Sequence, residues 1–272
     1  MQPKLIFLGT GGDAIVVGKQ IRSSGGIILQ VEDNQFHIDP GPGAVTRAKD
    51  FGINLRNNVA VLVSHNHLNH CNDINAVISA MTFGGLDNKG VLVTNKSVYH
   101  GTDEFRPYIT KQHKNLIEKS IVLEPGQRVG INEIEIKATR TQHSDIDTIG
   151  FKFITPSFTL GYTSDTGYSK ELIEDFKDVD ILIMNTVNPE DKKDKHQLNV
   201  EDVLRILPEL KPKLAVMTHF GIKMEENDIL SIARNIQRQT KIQTIAAIDG
   251  MVLNPVSYSV TQRQKTLNLY KK

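Results

Sequence analysis

The feature that most constrains this chain is an apolar strand that ends abruptly in histidines. Residues 59–63, VAVLV, carry no polar side chain, and SHNHLNHC follows at once, so His65, His67 and His70 fall within six residues. A run this short and this apolar reads as a buried strand, and polar chemistry begins where it stops. An i, i+2 pair at a strand end aims two imidazoles the same way, and His70, at the start of the next helix, can turn into the same hollow. Neutral imidazole is the commonest protein ligand for zinc and similar borderline cations, so a divalent metal is the first expectation for this corner. The competing reading is a solvated polar loop.

The rest of the chain places this corner in a mixed architecture. KLIFLGT, DAIVVG, GGIILQV and NQFHID read as successive strands joined by tight turns, residues 44–52 have a modest helical pattern, and GVLVT is a further strand. Ile74, Val77, Ile78 and Met81 lie on one face of a helix that Gly84 and Gly85 close. Residues 95–120 have no clear period and read as loops with a short helix. SIVLEPG, EIEIKATRT, IGFKFIT and FTLGYTSD then read as a second sheet. KELIEDFK is a helix and DILIMN a buried strand. Asn199 caps VEDVLRILPEL, LAVMTHFG is a strand, residues 226–238 form a last helix, and TIAAIDG is a last strand. The basic tail QRQKTLNLYKK reads as a solvated terminus. No repeat or linker interrupts the chain, which predicts one α/β (α+β) domain over residues 1–272, with sheets inside and helices outside.

Polar residues repeat the habit of following strands. His143 comes after EIEIKATRT, Asp165 after FTLGYTS and His219 after LAVMT. In layered folds strand ends collect at one rim, so these residues converge on it, and several desolvated imidazoles there would lack partners without a cation. Balanced charge, 32 basic against 31 acidic residues, gives no overall positive field for nucleic acid or an anionic membrane. The single cysteine, Cys71, forms no internal disulfide, and no apolar run reaches membrane length, which predicts a soluble, cytoplasmic protein. Cys71 itself reads as inert packing, His37 as pointing away from Asp39, and His100 and His113 as solvated histidines. Thr10, Ser64 and the turn LGTGGD carry little weight as anion binders, and LGTGGD is no dinucleotide fingerprint because no helix is predicted after it.

Taken in order, IDPGPG (residues 38–43), SHNHLNH (64–70), His143, SDTG (164–167) and THFG (218–221) resemble the five motifs of the metallo-β-lactamase superfamily across the whole chain. The resemblance implies an αββα four-layer sandwich with a two-metal site at one edge of the sheets. It implies that His65, His67 and His143 hold a first metal, that Asp165 bridges, and that His70 and His219 hold a second. Asp39 would orient a ligand histidine from behind. One position departs from the pattern: Asn69 stands where the family has an aspartate that ligates the second metal and accepts a hydrogen bond from the bridging hydroxide. With two divalent cations, Asp165 and one hydroxide, the net site charge is about +2 instead of the usual about +1. Asn69 can coordinate through its carbonyl oxygen but is neutral, so the second metal should bind less tightly. A working enzyme with a weak second site, an introduced substitution that inactivates, and a member that binds without turnover are all compatible with Asn69.

His196, in KHQLNVEDV, resembles the extra histidine of the ribonuclease Z-like phosphodiesterases, which contacts the scissile phosphate and acts as general acid. A surface histidine ahead of a helix is the plainer reading. His143 and Asp165 are only 22 residues apart, too few for the long arm of the tRNA-processing members, so tRNA is not the expected partner. The expected function is hydrolysis of a small phosphodiester, or another small ester or lactone, by a metal-bound hydroxide, with Asp165, His196 and Asn69 at the reacting centre. Its cofactor would be one or two divalent ions per chain, zinc first and manganese or iron next. A homodimer is allowed, and the alternative is an impaired or inactive metal-binding member of the same fold.

Overall fold

The computed structural model describes residues 2–103, 105–190 and 194–258, and the basic tail at 262–272 lies outside them. Two sheets form its centre. The first runs, edge to edge, Val252–Leu253, Lys4–Phe7, Ile27–Val31, Asn34–Ile38, Asn58–Val63, Val91–Thr94 and Lys119–Val122. The second runs Thr244–Ala246, Leu214–Thr218, Ile181–Asn188, Thr159–Tyr162, Gly150–Ile154, Ile134–Thr139 and Arg128–Ile131, with the short strand Leu198–Asn199 beside Ile181–Asn188.

Side-chain alternation decides the layering. In the strand Asn58–Val63, Ala60 and Leu62 join the core between the sheets, while Val61 and Val63 face the outer helices. Ile181 and Ile183 likewise point inward, and Leu182 and Met184 outward. Strands apolar on both faces must be covered on both, and successive side chains of a strand point to opposite faces, so helices are needed outside each sheet. Ala44–Asp50 and Ile74–Thr82 cover the first sheet, and Lys170–Asp175, Val200–Leu210 and Ile229–Thr240 cover the second. Between the sheets Phe36 meets Phe153 edge-on, with ring centroids 5.9 Å apart. The result is the expected four-layer αββα sandwich. Among the described residues no helix is long and apolar enough to cross a membrane.

Three expectations are corrected. DAIVVG is a helix, Ala14–Gly18, because the Asp13 carboxylate accepts hydrogen bonds from the Ile15 and Val16 amides and so caps a turn that β-branched propensity alone would extend. A helix therefore does follow LGTGGD, although at five residues it is only a stub. SIVLEPG does not open the second sheet: Lys119–Val122 pairs in parallel with Val91–Thr94 and forms the edge of the first. The strand Arg128–Ile131 was not expected, since QRVGI is too polar and short to show a period. The predicted cap holds: Asn199 and Asp202 form a reciprocal capping box at the start of Val200–Leu210.

Asp175 ties an outer helix to the second sheet by accepting from Lys137 Nζ at 2.8 Å and from the Arg140 amide and Nε at 2.9 Å. Burial works to raise its pKa, but the Arg140 and Lys137 partners outweigh that and hold it at about 2. Asp175→Asn should lower stability by about 1–3 kcal/mol near neutral pH. The carboxylate's contribution is complete above the ordinary carboxyl range and is lost as pH falls toward about 2, so the difference between variant and parent in urea melts should shrink below about pH 4. A difference that grows on acidification would contradict this.

Candidate metal centre

Parallel strands of both sheets deliver their carboxyl ends to one rim. Asn34–Ile38 leads to Asp39, Asn58–Val63 to Ser64 and His65, Thr159–Tyr162 to Asp165, and Leu214–Thr218 to His219. Asp39, Ser64's counterpart Ser164, and His219 take left-handed backbone conformations with φ of 50°, 55° and 62°. A left-handed residue one or two positions past a strand end turns the chain sharply, which keeps the neighbouring side chains at the rim instead of continuing along the sheet.

The predicted residues meet in two groups that share Asp165. His65, His67, His143 and Asp165 form one, and His70, Asp165 and His219 the other, with the donor atoms of each group all within 4.8 Å of one another. His67 Nδ1 lies 3.1 Å from both His65 Nε2 and His143 Nε2, and His70 Nε2 lies 2.8 Å from His219 Nε2. Asp165 Oδ2 faces the first group, at 4.0 Å from His65 Nε2 and 3.9 Å from His143 Nε2. Its Oδ1 faces the second, at 3.4 Å from both His70 Nε2 and His219 Nε2.

Partners behind the rings fix their tautomers. Ser64 Oγ donates to Asp39 Oδ2, so the 3.0 Å contact between Ser64 Oγ and His65 Nδ1 is donated by the ring. His70 Nδ1 donates to Asp39 Oδ2 at 2.8 Å, and His143 Nδ1 donates to the His196 carbonyl at 2.9 Å. Each of these three rings, when neutral, therefore turns an Nε2 lone pair into the hollow. Asp39 stands behind His70, where the resemblance had specified only some ligand histidine, and also accepts from the Ser64 amide and Tyr162 Oη.

Electrostatics favour a cation here. Burial, with neighbouring imidazoles, drives His65 well below its ordinary pKa and lowers His67, and burial holds His219 at about 4. Burial would raise Asp165, but His219 and His70 outweigh it and keep the carboxylate ionised. Burial also opposes the charged form of His70, yet Asp165 and Asp39 on either side carry it to about 10. The two buried carboxylates thus draw a proton onto His70 in the absence of another cation, and the imidazole and carboxylate donors suit a divalent ion that takes over this charge.

Asn69 stands at the edge of the second group. Its Nδ2 donates to the Gly12 carbonyl at 2.9 Å and lies 3.0 Å from His219 Nε2. The turn LGTGGD thus walls the site. A Cβ on Gly12 would stand 2.2 Å from the His219 carbonyl oxygen, so only glycine allows this approach. The Thr10 hydroxyl donates to Asp249, although the residue lines a small cavity shared with Asn69, His70 and His219. His196 enters the site through its backbone; its ring centroid is 6.4 Å from that of His143, and its Nδ1 is buried with no protein partner. Cys71 is buried with its thiol on the His67 carbonyl and burial raises its pKa, which fits packing and not ligation. His37 is fully buried and its ring contacts the Gly25 carbonyl, while His113 bonds Ser79 and Thr110 and so is not simply solvated.

Sequence reasoning missed four residues of the site. Asn185 Nδ2 donates to Asp165 Oδ1 at 2.8 Å and to Tyr162 Oη at 3.2 Å, which joins the two buried carboxylates through Tyr162 and Asp39. Gln197 Nε2 donates to Asp165 Oδ2 at 3.1 Å. Asp13, besides capping its own helix, accepts from the Ile222 amide at 2.6 Å and so pins the segment just after His219. Asn185 was the one with a legible signal, a polar residue at the end of an apolar strand.

Residues 34–220 match the family model described as the beta-lactamase superfamily domain. The chain belongs to this superfamily. An uncharacterized protein of Methanocaldococcus jannaschii is 35% identical over 253 residues, covering 92% of this chain and 94% of the relative. A ribonuclease Z of Methanopyrus kandleri is 27% identical over 150 residues, covering 55% of this chain and 50% of that enzyme. The metallo-β-lactamase fold protein YhfI of Bacillus subtilis shares the fold with a TM-score of 0.76 at 18% identity, over 93% of this chain and 99% of that one.

Asp39 accepts four hydrogen bonds and Tyr162 supplies one of them. Tyr162→Phe should cost about 1–2 kcal/mol, and Asp39→Asn about 2–4 kcal/mol, because an amide turns a donor toward groups that are already donors. Urea denaturation checks the order, and an Asp39→Asn protein as stable as the parent would refute this account of the site.

Proposed function

We propose that the chain is a metal-dependent hydrolase of a small phosphodiester, with zinc as the first candidate cation and manganese or iron as alternatives. The observation that carries the reading is Asp165, one oxygen turned to each of two imidazole groups. His65, His67, His143 and Asp165 would hold one ion, and His70, His219 and Asp165, with Asn69 beside them, a second. A bound divalent cation supplies Lewis acidity, lowering the pKa of a water toward about 7 and offsetting charge on the phosphoryl oxygens. The chain's own residues orient the ligands: Ser64, Asp39 and the His196 carbonyl set the tautomers of His65, His70 and His143.

Hydroxide attack on phosphorus breaks one P–O ester bond and leaves an alkoxide that needs a proton. His196 supplies it in this reading, since its unpartnered Nδ1 leaves the ring free of a structural bond beside the site. Likeness to a ribonuclease Z favours phosphodiester over lactam chemistry, and the balanced charge favours a small substrate over tRNA. Asn69 weakens the second site, because its amide nitrogen and not an oxygen anion faces His219.

Metal analysis after exhaustive dialysis should find one tightly held equivalent per chain, and Asn69→Asp should bring a second equivalent with a large gain in turnover of a chromogenic phosphodiester. Two tight equivalents in the parent would refute the weak second site, and a parent inert with zinc, manganese and iron would favour a binding protein without turnover. His196→Ala should lower kcat by about 100-fold. Its metal content should not change, because the backbone carbonyl that holds His143 remains. Turnover within a few-fold of the parent would remove the ring from the mechanism.

A further inference from the structure

Beside the donor groups lies a cleft of about 510 Å³ that the reaction as proposed leaves unused. His67, a member of the first group, lines it together with Asn66, Asp103, Phe105, Asp145 and Ile146. We propose that this cleft seats an aryl arm of the substrate, uncharged or cationic, and so selects aryl esters over both small alkyl esters and polyanionic chains. The inference rests on the hydrolase reading and names the substrate class of the same site.

Three observations carry it. The first is continuity: a group filling the cleft reaches His67 directly, so an ester held at the donor groups can place one substituent there. Second, the cleft is walled by large apolar side chains that stand in water, Phe105 at 59% and Ile146 at 92% exposure. Apolar surface of this kind next to convergent polar groups is what small-molecule sites present, and the volume lies in their usual range of about 300–1,000 Å³. An aromatic ring can lie against Phe105 and Ile146, whereas a methyl group leaves both in water.

The third observation is charge. Asp103 and Asp145 line the cleft, and no lysine or arginine is among its described lining residues. Asp145 is fixed as a wall by the Ser97 hydroxyl at 2.6 Å, the Asp147 amide at 3.1 Å and the Asn66 amide at 3.3 Å. Two carboxylates beside the arm repel further anionic groups, so a nucleic acid strand, with a phosphate on each successive unit, is disfavoured where a neutral ring is accepted.

The test uses phosphinates, in which a P–C bond replaces the scissile P–O ester bond, on the zinc-loaded full chain, read by calorimetry. Benzyl(methyl)phosphinate should bind at least 10-fold more tightly than ethyl(methyl)phosphinate, and its 4-carboxybenzyl analogue at least 5-fold more weakly than the benzyl compound. Phe105→Ala and Ile146→Ser, both at exposed positions, should each erode the benzyl preference and together abolish it. Asp103→Asn should restore much of the 4-carboxybenzyl binding. Equal affinity for the benzyl and ethyl phosphinates, a preference unchanged in the double variant, or tighter binding of a short oligonucleotide than of the benzyl phosphinate would overturn the proposal. Failure of the hydrolase reading looks different: the benzyl preference persists in binding while 4-nitrophenyl phenylphosphonate is not turned over.

Discussion

A buried carboxylate between two sets of imidazoles is the interaction on which the rest of this structure depends. Asp165 is almost wholly removed from water, and its oxygens divide between the two donor groups while Asn185 and Gln197 donate to them from the protein side. An ionised group so placed is costly unless the surroundings supply hydrogen bonds and positive charge. Asp39 has the same requirement one layer deeper and meets it with the Ser64 amide and hydroxyl, His70 and Tyr162. Because Asn185 and Tyr162 join the two carboxylates, the histidines are held by a connected polar network and not by independent contacts.

The sandwich makes that network affordable. Helices on both outer faces allow the strands to be apolar on both sides, and a sheet buried in this way can run its strands in parallel and deliver their ends to one rim. Left-handed turns at Asp39, Ser164 and His219 then hold the polar residues at that rim. The glycine turn before Asp13 closes the site from the side, with Gly12 against His219 and its carbonyl on Asn69. Asn69 is thus at once an edge residue of the candidate metal site and the hydrogen-bond donor that holds this wall.

Much of this was legible along the chain because it follows local rules. The histidines at 65, 67 and 70 sit directly after an unbroken apolar strand, and Asp165 and His219 each follow another, so both their residue type and their place signalled the rim. Asp13 was misread because five apolar or small residues after it, AIVVG, match a strand by propensity, and only the carboxylate's bonds to the Ile15 and Val16 amides turn them into a helical stub. The edge strand Lys119–Val122 was assigned to the wrong sheet because sequence order says nothing about which parallel neighbour a strand finds. Tyr162 and Gln197 were invisible as site residues: a tyrosine ending an apolar strand reads as core, and a glutamine ahead of a capped helix reads as surface.

Residue type and period by themselves determined the alternation of strands and helices, the layered architecture, and the inventory of imidazole and carboxylate donors, because these depend on local backbone preference and on the pairing of apolar faces with cover. Which donors share an ion site, which ring nitrogen is turned inward, and which neutral amides and hydroxyls stand behind the carboxylates were decided only by tertiary structure. Those relations join residues as far apart as Asp39 and Tyr162, or Asn69 and His219, and a hydrogen bond depends on position and direction in space, which no spacing along the chain encodes.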